Sequence, residues 1–285
     1  MVDSPRRPFW LLFVGPYGLY LLIFLVVPLA HVTLLSIYTY SPTKIYVPEL
    51  TTANYMRILD PYYINLFLRT MKIGLFTTII CAALGYPMAY FLARAKPAVM
   101  TFGLLLIITP LMVSTVIRVF GWIVILGRKG LVNEGLEIFG FASVKMLYTE
   151  TAVLIGLVQL FMPFMVLPLM SSMERIPVNL EEAAQNLGAN WYQMFARTIV
   201  PLSLPGLISG SLLVYSVSIS AFVTPALMGG ARVRMVGQQI YDDVLTSFNW
   251  PGASAIALVL VVVTLTLVFT GLYTASRMGH LEAHR

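Results

Sequence analysis

Charged side chains are scarce in this chain. Of its 285 residues, 11% are Asp, Glu, Lys or Arg and 59% are apolar, whereas an ordinary soluble chain carries about a quarter charged residues. This composition excludes a soluble globular protein and a disordered one. The net charge of +6 comes without a basic run, so it does not indicate a nucleic-acid partner. The composition is that of an integral membrane protein.

Residues that support covalent or metal chemistry are also few. The single cysteine, Cys81, cannot form an internal disulfide, and its apolar surroundings predict a buried structural thiol. His31, His280 and His284 are scattered and form no metal-binding motif, so we predict no metal site and no catalytic residues. The sequence contains neither G-x-x-x-x-G-K-[ST] nor H-E-x-x-H, which excludes a P-loop ATPase and a zinc protease of that type.

Long stretches without any charge separate the charged residues. Roughly 20 apolar residues cross a bilayer as a helix, and a sharp turn inside lipid would leave backbone groups unpaired. One helix for each stretch is therefore the economical interpretation. It predicts an all-α integral membrane protein with six spans, at residues 11–38, 66–93, 99–126, 151–170, 202–222 and 252–275.

The N-terminus admits a signal peptide as an alternative, because Arg6 and Arg7 precede an apolar run. That run exceeds the roughly 7–15 residues of a signal-peptide core and no small-residue cleavage site follows it, so we interpret it as an uncleaved first helix. The totals of Lys and Arg on the two sides are nearly equal. The first helix usually dominates orientation, and Arg6, Arg7 and the short loop at 94–96 predict that both termini are cytoplasmic.

Three loops on the predicted outer side, 39–65, 127–150 and 223–250, are long enough to hold short helices. In the second of them Leu131, Gly135, Leu136 and Phe139 recur at helical spacing. This spacing fits a helix lying in the membrane interface, and it also fits a packed loop.

The inner loop at residues 171–201 carries the most organised pattern. Asn179 and Glu182 have the spacing of a capping box, Gly188 suits the left-handed position after a helix, and Glu181 and Glu182 lie where the helix dipole favours carboxylates. An apolar stripe at i, i+3, i+4 and i+7 completes this helix: Leu180, Ala183, Ala184 and Leu187.

A second helical piece follows in the same loop, with Trp191, Phe195 and Ile199 at spacing four, and we expect Pro201 to break it. Helices this short are marginal in water unless something holds them. The loop is either a connector between two spans or a segment held against the membrane, the rest of the chain or a partner.

The same loop resembles a known family. The run Glu182-Ala183-Ala184, then Gly188, with Pro201 thirteen residues further on, is similar to the EAA loop of permease subunits of bacterial binding-protein-dependent ABC importers. Thr198 departs from the aliphatic residue that the family has at that position. Segments 129–134, 156–165, 225–230 and 249–251 also resemble the spermidine/putrescine branch, first-permease type, and the resemblance covers about residues 54–277.

The resemblance implies a type I importer permease, with residues 1–285 as one transmembrane domain in the bacterial inner membrane. Two homologous permeases would form the pathway, a periplasmic protein would deliver a small polar solute such as a polyamine, and ATP and Mg would bind a separate ATPase homodimer rather than this chain. The residues implied in ATPase coupling are Glu181, Glu182, Ala183, Ala184, Leu187 and Gly188. The alternative is a self-sufficient carrier or channel, which usually has midplane ionisable residues and inverted repeats; neither pattern is evident here.

Several residues are candidates for the translocation path. Arg118 lies within a predicted span, where it either faces a cavity or extends to water; on this branch we expect it to pair with a carboxylate or backbone carbonyls rather than bind an amine. Glu150, Asp242 and Asp243, with the nearby aromatic residues Tyr241 and Trp250, suit an organic cation by charge and cation–π attraction. They are also compatible with a solvated loop beside an aromatic belt.

One glycine pattern is relevant to helix packing. Gly206 and Gly210 form a GxxxG pattern in the predicted fifth span. Small residues at this spacing allow close approach between helices in membranes. We interpret the pattern as a candidate contact with another subunit.

Overall fold

A computed structural model describes residues 9–282, with side chains from 15 to 273. The chain begins with a long helix, a β-hairpin and a short helix: α1 (Phe9–Ser36), β1 (Tyr38–Ser41), β2 (Ile45–Leu50) and α2 (Ala53–Ile58). The middle of the chain is helical: α3 (Pro61–Arg94), α4 (Pro97–Met112), α5 (Thr115–Leu126), α6 (Leu131–Ile138) and α7 (Glu150–Glu174). Then come α8 (Val178–Asn186), α9 (Trp191–Met194), a π-helical turn (Phe195–Ile199), α10 (Val200–Ser220), a second π turn (Pro225–Gly229), α11 (Val236–Leu245) and α12 (Trp250–Glu282).

Five helical segments of the described chain are long and apolar enough to cross a membrane. A bent pair, formed by α4 and the α5–α6 segment, is a sixth candidate when its two parts are counted as one span. The predicted number of six spans agrees with the structure when the bent pair is counted in this way. The straight helix predicted over 99–126 is wrong, because the two parts of the pair meet at 100°. Val113 and Ser114 take non-helical, extended conformations at the break, and Pro110 has no amide proton with which to support the turn before it.

The helix that enters the fifth span is also longer than predicted. One helical segment runs from Trp191 to Ser220, so the expected break at Pro201 is wrong. The π turn Phe195–Ile199 ends two residues before this proline. Its wider hydrogen-bond spacing tolerates the missing amide proton and the proline ring better than a regular α-turn would.

Two compact units are distinguished in the chain, and the first comprises residues 9–60 with 240–261. It contains the β-hairpin, which the sequence did not predict, with Thr39 opposite Val47 and Tyr40 opposite Tyr46. Asn54 of α2 donates from Nδ2 to the carbonyls of Ser36 and Tyr38, at 2.8 and 2.9 Å. These bonds hold α2 against the point where α1 passes into the hairpin.

The second unit comprises residues 61–239 with 262–282, and α3, α7 and α10 pack together at its centre. Its core is apolar and fully or almost fully buried, with Ile73, Leu157, Met165 and Leu169 among its largest members. Cys81 lies in the same core, fully buried, with Sγ 3.6 Å from the carbonyl oxygen of Val158. The prediction of a buried structural thiol is confirmed.

The glycines of the GxxxG pattern, Gly206 and Gly210, lie at a contact between two helices of this unit. A Cβ atom at Gly206 would lie 2.5 Å from Cβ of Ser172 and 2.7 Å from the carbonyl oxygen of Pro168, and one at Gly210 would lie 3.0–3.4 Å from Met165. The glycines therefore let α10 approach α7 closely. Because this face is occupied by α7, the subunit contact that the pattern suggested is wrong.

The second predicted outer loop contains α6, as the helical spacing indicated. Ile138 and Phe139 at its end are about four-fifths exposed. This exposure favours a helix lying in the membrane interface over a packed loop. Asn133 is fully buried and holds the loop in place: Nδ2 donates to the carbonyls of Gly127 and Val144, and Oδ1 accepts from the Val144 amide.

Candidate coupling site

The N-terminal end of α8 differs from the sequence prediction. The helix begins at Val178, after Pro177 with φ −61° and ψ 133°, and no side chain caps it. The predicted capping box of Asn179 and Glu182 is wrong because Pro177, whose ring presets φ near the helical value, starts the helix two residues earlier. Asn179 consequently lies inside the helix.

A complete capping box occurs eleven residues after Asn179, at the start of α9. The Asn190 side chain accepts from the Gln193 amide at 2.8 Å, and the Gln193 side chain accepts from the Asn190 amide at 3.1 Å. This reciprocal pair satisfies two backbone donors at the helix start. It gives the segment after α8 a defined direction into α10.

The C-terminal end of α8 agrees with the prediction. Gly188 has φ +86°, the left-handed conformation that favours glycine. The Gly188 amide donates to the Gln185 carbonyl at 2.9 Å, and the Ala189 amide donates to the Ala184 carbonyl at 3.1 Å. These two bonds are the pair that defines a Schellman motif, so the chain turns sharply at this glycine.

The six predicted coupling residues divide between two faces of α8. Four are exposed, with Leu187 89% exposed, and they are Glu182, Ala183, Leu187 and Gly188. The other two lie against the rest of the protein: Glu181 is 8% exposed and Ala184 is partly buried. Ala184 packs with a small core of Ile176, Met194 and Ile199. The exposed end of α8 is thus a small knob with an inner side anchored to the protein.

Glu181 is anchored by two residues of α3 that sequence reasoning did not single out for this role. Its Oε1 accepts from Arg94 Nε at 2.7 Å and lies 2.5 Å from Arg94 Nη2, and its Oε2 accepts from the Tyr90 hydroxyl at 2.8 Å. In the sequence alone, Arg94 is recognisable only as a charge of the short loop at 94–96. No local spacing could have revealed the pair, since 87 residues separate its members.

Aromatic side chains reinforce this junction. The Phe195 ring lies 5.4 Å from the rings of both Tyr86 and Tyr90, edge to face, and stacks on Trp191 at 5.1 Å. Edge-to-face and offset stacked pairs are favourable arrangements of aromatic rings. They join the π turn before α10 to the same end of α3 that holds Glu181.

The charged pathway candidates of the second unit, Glu150 and Arg118, differ in their contacts. Glu150 lies in the first turn of α7, 2.7 Å from Lys72 Nζ and 4.0 Å from Arg69 Nε. Arg118 lies in α5, with Nη2 3.4 Å from the Thr115 hydroxyl. Among the described residues, Nε and Nη1 of Arg118 are buried without a hydrogen-bond partner, so the expected carboxylate or carbonyl partner is not observed there.

The remaining pathway candidates lie in the first unit, on α11 and at the start of α12. Tyr241 is 47% and Trp250 37% exposed, and Asp242 is partly buried. Asp243 is only 3% exposed, and its carbonyl accepts from the Asn249 amide at 2.8 Å. Asp242 is therefore partly accessible and follows an exposed aromatic residue on α11, whereas Asp243 is buried.

Comparison with known proteins establishes the family. Residues 74–277 match the family described as "Binding-protein-dependent transport system inner membrane component". The chain belongs to this family. It is a permease subunit, a transport component with several membrane-spanning helices. The resemblance inferred from the EAA pattern is confirmed.

Relatives by sequence include the spermidine/putrescine transport system permease PotB of Haemophilus influenzae, which is 37% identical over 91% of each chain. PotB of Escherichia coli is 39% identical over 80% of this chain and 83% of its own. The fold matches a crystal structure of a bacterial alginate ABC transporter in complex with an alginate pentasaccharide-bound periplasmic protein, with a TM-score of 0.75, 17% identity and coverage of 94% and 95%. The type I importer permease fold is thereby confirmed.

Proposed function

We propose that this permease imports a polyamine of the spermidine or putrescine class, driven by ATP hydrolysis on a separate subunit. The observation that carries the proposal is the 37% identity to the Haemophilus influenzae spermidine/putrescine permease over 91% of both chains. Identity this extensive includes the helices that would line a pathway. The alternative, a self-sufficient carrier or channel, has no comparable support.

The proposed assembly contains a second homologous permease, an ATPase homodimer and a periplasmic solute-binding protein. The absence of a P-loop motif from the sequence supports placing ATP and Mg on the ATPase, with no cofactor in this chain. The exposed end of α8, with Glu182, Ala183, Leu187 and Gly188, is the surface that would enter a groove of the ATPase. Glu181 and Ala184 would hold this surface in position from the inner side.

Among the candidates for the translocation path, Asp242 with Tyr241 and Trp250 fits an amine best. A partly buried carboxylate in a segment with exposed aromatic side chains offers charge pairing and cation–π attraction. Asp243 is buried, Arg118 would repel a cation, and Glu150 lies beside the cations Lys72 and Arg69. These three are better suited to holding the pathway walls than to binding substrate.

Reconstitution tests the proposed function. The purified permease alone in liposomes should show no saturable spermidine uptake. Adding the second permease, the ATPase subunit and the loaded binding protein should give uptake that stops when ATP is withheld. Saturable uptake by the chain alone, without ATP, would instead favour the carrier.

Labelling with a membrane-impermeant maleimide tests the proposed orientation, in which both termini and α8 are cytoplasmic. Lys44→Cys in the hairpin turn should react from outside intact cells, and Gln185→Cys in α8 should react only after the membrane is opened. The native Cys81 is fully buried and provides the unlabelled background. Reaction of both positions from the same side would contradict the arrangement.

A further inference from the structure

The Glu181–Arg94 ion pair is more deeply buried than the ion pair that Lys72 of α3 forms with Glu150 of α7. The side chains of Arg94 and Glu181 are 18% and 11% exposed, whereas those of Lys72 and Glu150 are 53% and 38% exposed. Exposed pairs contribute little because water and salt screen them. A buried charge cannot lose its partner without a large desolvation penalty, so this pair restrains the positions of the two helices that carry it.

Arg94 also binds the end of α7. Its Nη1 donates to the Met173 carbonyl at 3.2 Å, and its Nη2 donates to the Ile176 carbonyl at 3.0 Å. Carbonyls at the end of a helix lack partners within the helix, and a cation there also suits the helix dipole. One guanidinium therefore joins the last residue of α3, the end of α7 and the inner side of α8.

We propose that Glu181 and Arg94 are positioning residues that clamp α8 to α3, so that ATPase-driven movement of α8 moves α3 as well as α10. This inference rests on the proposed function, in which α8 docks on the ATPase. Along the chain, α8 is linked to α7 by residues 175–177 and to α10 by residues 187–199. The clamp supplies a further connection, to α3, the helix that forms the centre of the second unit with α7 and α10.

The clamp and the docking surface are separate on α8, which makes the inference testable. Glu182, Ala183, Leu187 and Gly188 are exposed and do not depend on the Glu181 carboxylate for their chemistry. Losing the clamp should therefore leave ATPase binding intact and disconnect it from α3. The signature is ATP hydrolysis with little uptake, which a purely structural defect would not produce.

The first experiment uses the complete reconstituted transporter with spermidine-loaded binding protein. Glu181→Gln should co-purify with the ATPase as the wild type does, while spermidine taken up per ATP hydrolysed falls about tenfold, within the range of coupling changes seen for such mutations. Glu174→Gln, an exposed carboxylate at the end of α7, is the matched control and should match the wild type. Tyr90→Phe removes only the hydroxyl that donates to Glu181 and should lower the ratio less, in a chain that folds normally.

A second measurement reports on the clamp directly. Spin labels at Lys96→Cys, after α3, and at Gln185→Cys, on α8, occupy exposed positions. Their distance distribution should stay narrow with and without ATP in the wild type and broaden in Glu181→Gln. An unchanged distribution in Glu181→Gln, or an unchanged ratio of uptake to hydrolysis, would overturn the clamp.

The outcomes separate the two proposals. Loss of ATPase binding in Glu181→Gln alone would place Glu181 in the docking surface and would also overturn the clamp. If the wild-type chain fails to bind any ATPase, the proposed function is wrong. The spin-label distances would still report whether α8 is fastened to α3.

Discussion

Replacing Gly188 by valine is expected to lower ATP-driven uptake about tenfold or more while the membrane helices stay intact. Gly188 has φ +86°, a conformation that costs a residue with a side chain roughly 1–2 kcal/mol, and β-branched residues tolerate it poorly. A Cβ atom at this position would meet no atom within 4 Å. The whole cost therefore falls on the backbone turn, and the α8 knob should relax away from the ATPase.

Gly188→Asn is the matched control, because asparagine adopts left-handed conformations more readily than other residues with a side chain. Uptake by Gly188→Asn should lie between that of the wild type and that of Gly188→Val. Co-purified ATPase and spermidine uptake in proteoliposomes measure the effect, and the thermal midpoint of the permease in detergent should be unchanged in all three. Wild-type uptake by Gly188→Val would show that the loop is only a connector.

The structure changes the cause that we expect for any effect of the Glu182→Ala substitution. A capping-box role would have predicted a modest loss of helix stability, but no side chain caps α8 and Glu182 is exposed. We therefore expect any effect of Glu182→Ala to arise from contact with the ATPase. Its thermal midpoint should equal that of the wild type.

Features set by local chemistry were predictable from the sequence. Charge-free stretches located the spans because the bilayer core excludes charge over a known thickness, and the second predicted span, 66–93, lies within α3. The positive φ of Gly188 followed from an apolar helical pattern ending at a glycine. The branch of the family followed from motifs spread along the chain.

Features that depend on distant or competing residues were not predictable. The chain breaks after Pro110, but Pro87, Pro163 and Pro205 lie within helices that continue, so proline alone does not mark a break. Arg94 and Glu181 belong to helices far apart in sequence, and only the packing of α3 against α7 brings them together. For the pathway candidates, burial of Asp243 and pairing of Glu150 are likewise tertiary properties.

The largest effect on the fold itself is expected for Gly206→Leu. Even the first side-chain atom would lie 2.5 Å from Cβ of Ser172, 2.7 Å from the carbonyl oxygen of Pro168 and 3.1 Å from Cα of Leu169. Backbone atoms cannot rotate away as a flexible side chain can, so α10 must move away from α7. Overpacking of this kind costs about 3 kcal/mol or more at a site where backbone must shift.

Insertion and packing should respond differently to Gly206→Leu. Leucine is more apolar than glycine, so the helix should still enter the membrane, while the purified permease should aggregate or unfold at a markedly lower temperature. Gly121→Leu in α5 is the control, because a Cβ atom there would meet nothing within 4 Å, and it should keep the wild-type midpoint. Equal thermal midpoints for Gly206→Leu and Gly121→Leu would mean that α7 and α10 do not pack as closely as these distances require. The two glycine variants should therefore differ in what they lose. Gly188→Val should keep a stable helix bundle and bind less ATPase, whereas Gly206→Leu should destabilise the helix bundle itself, and coupling would fail for that reason.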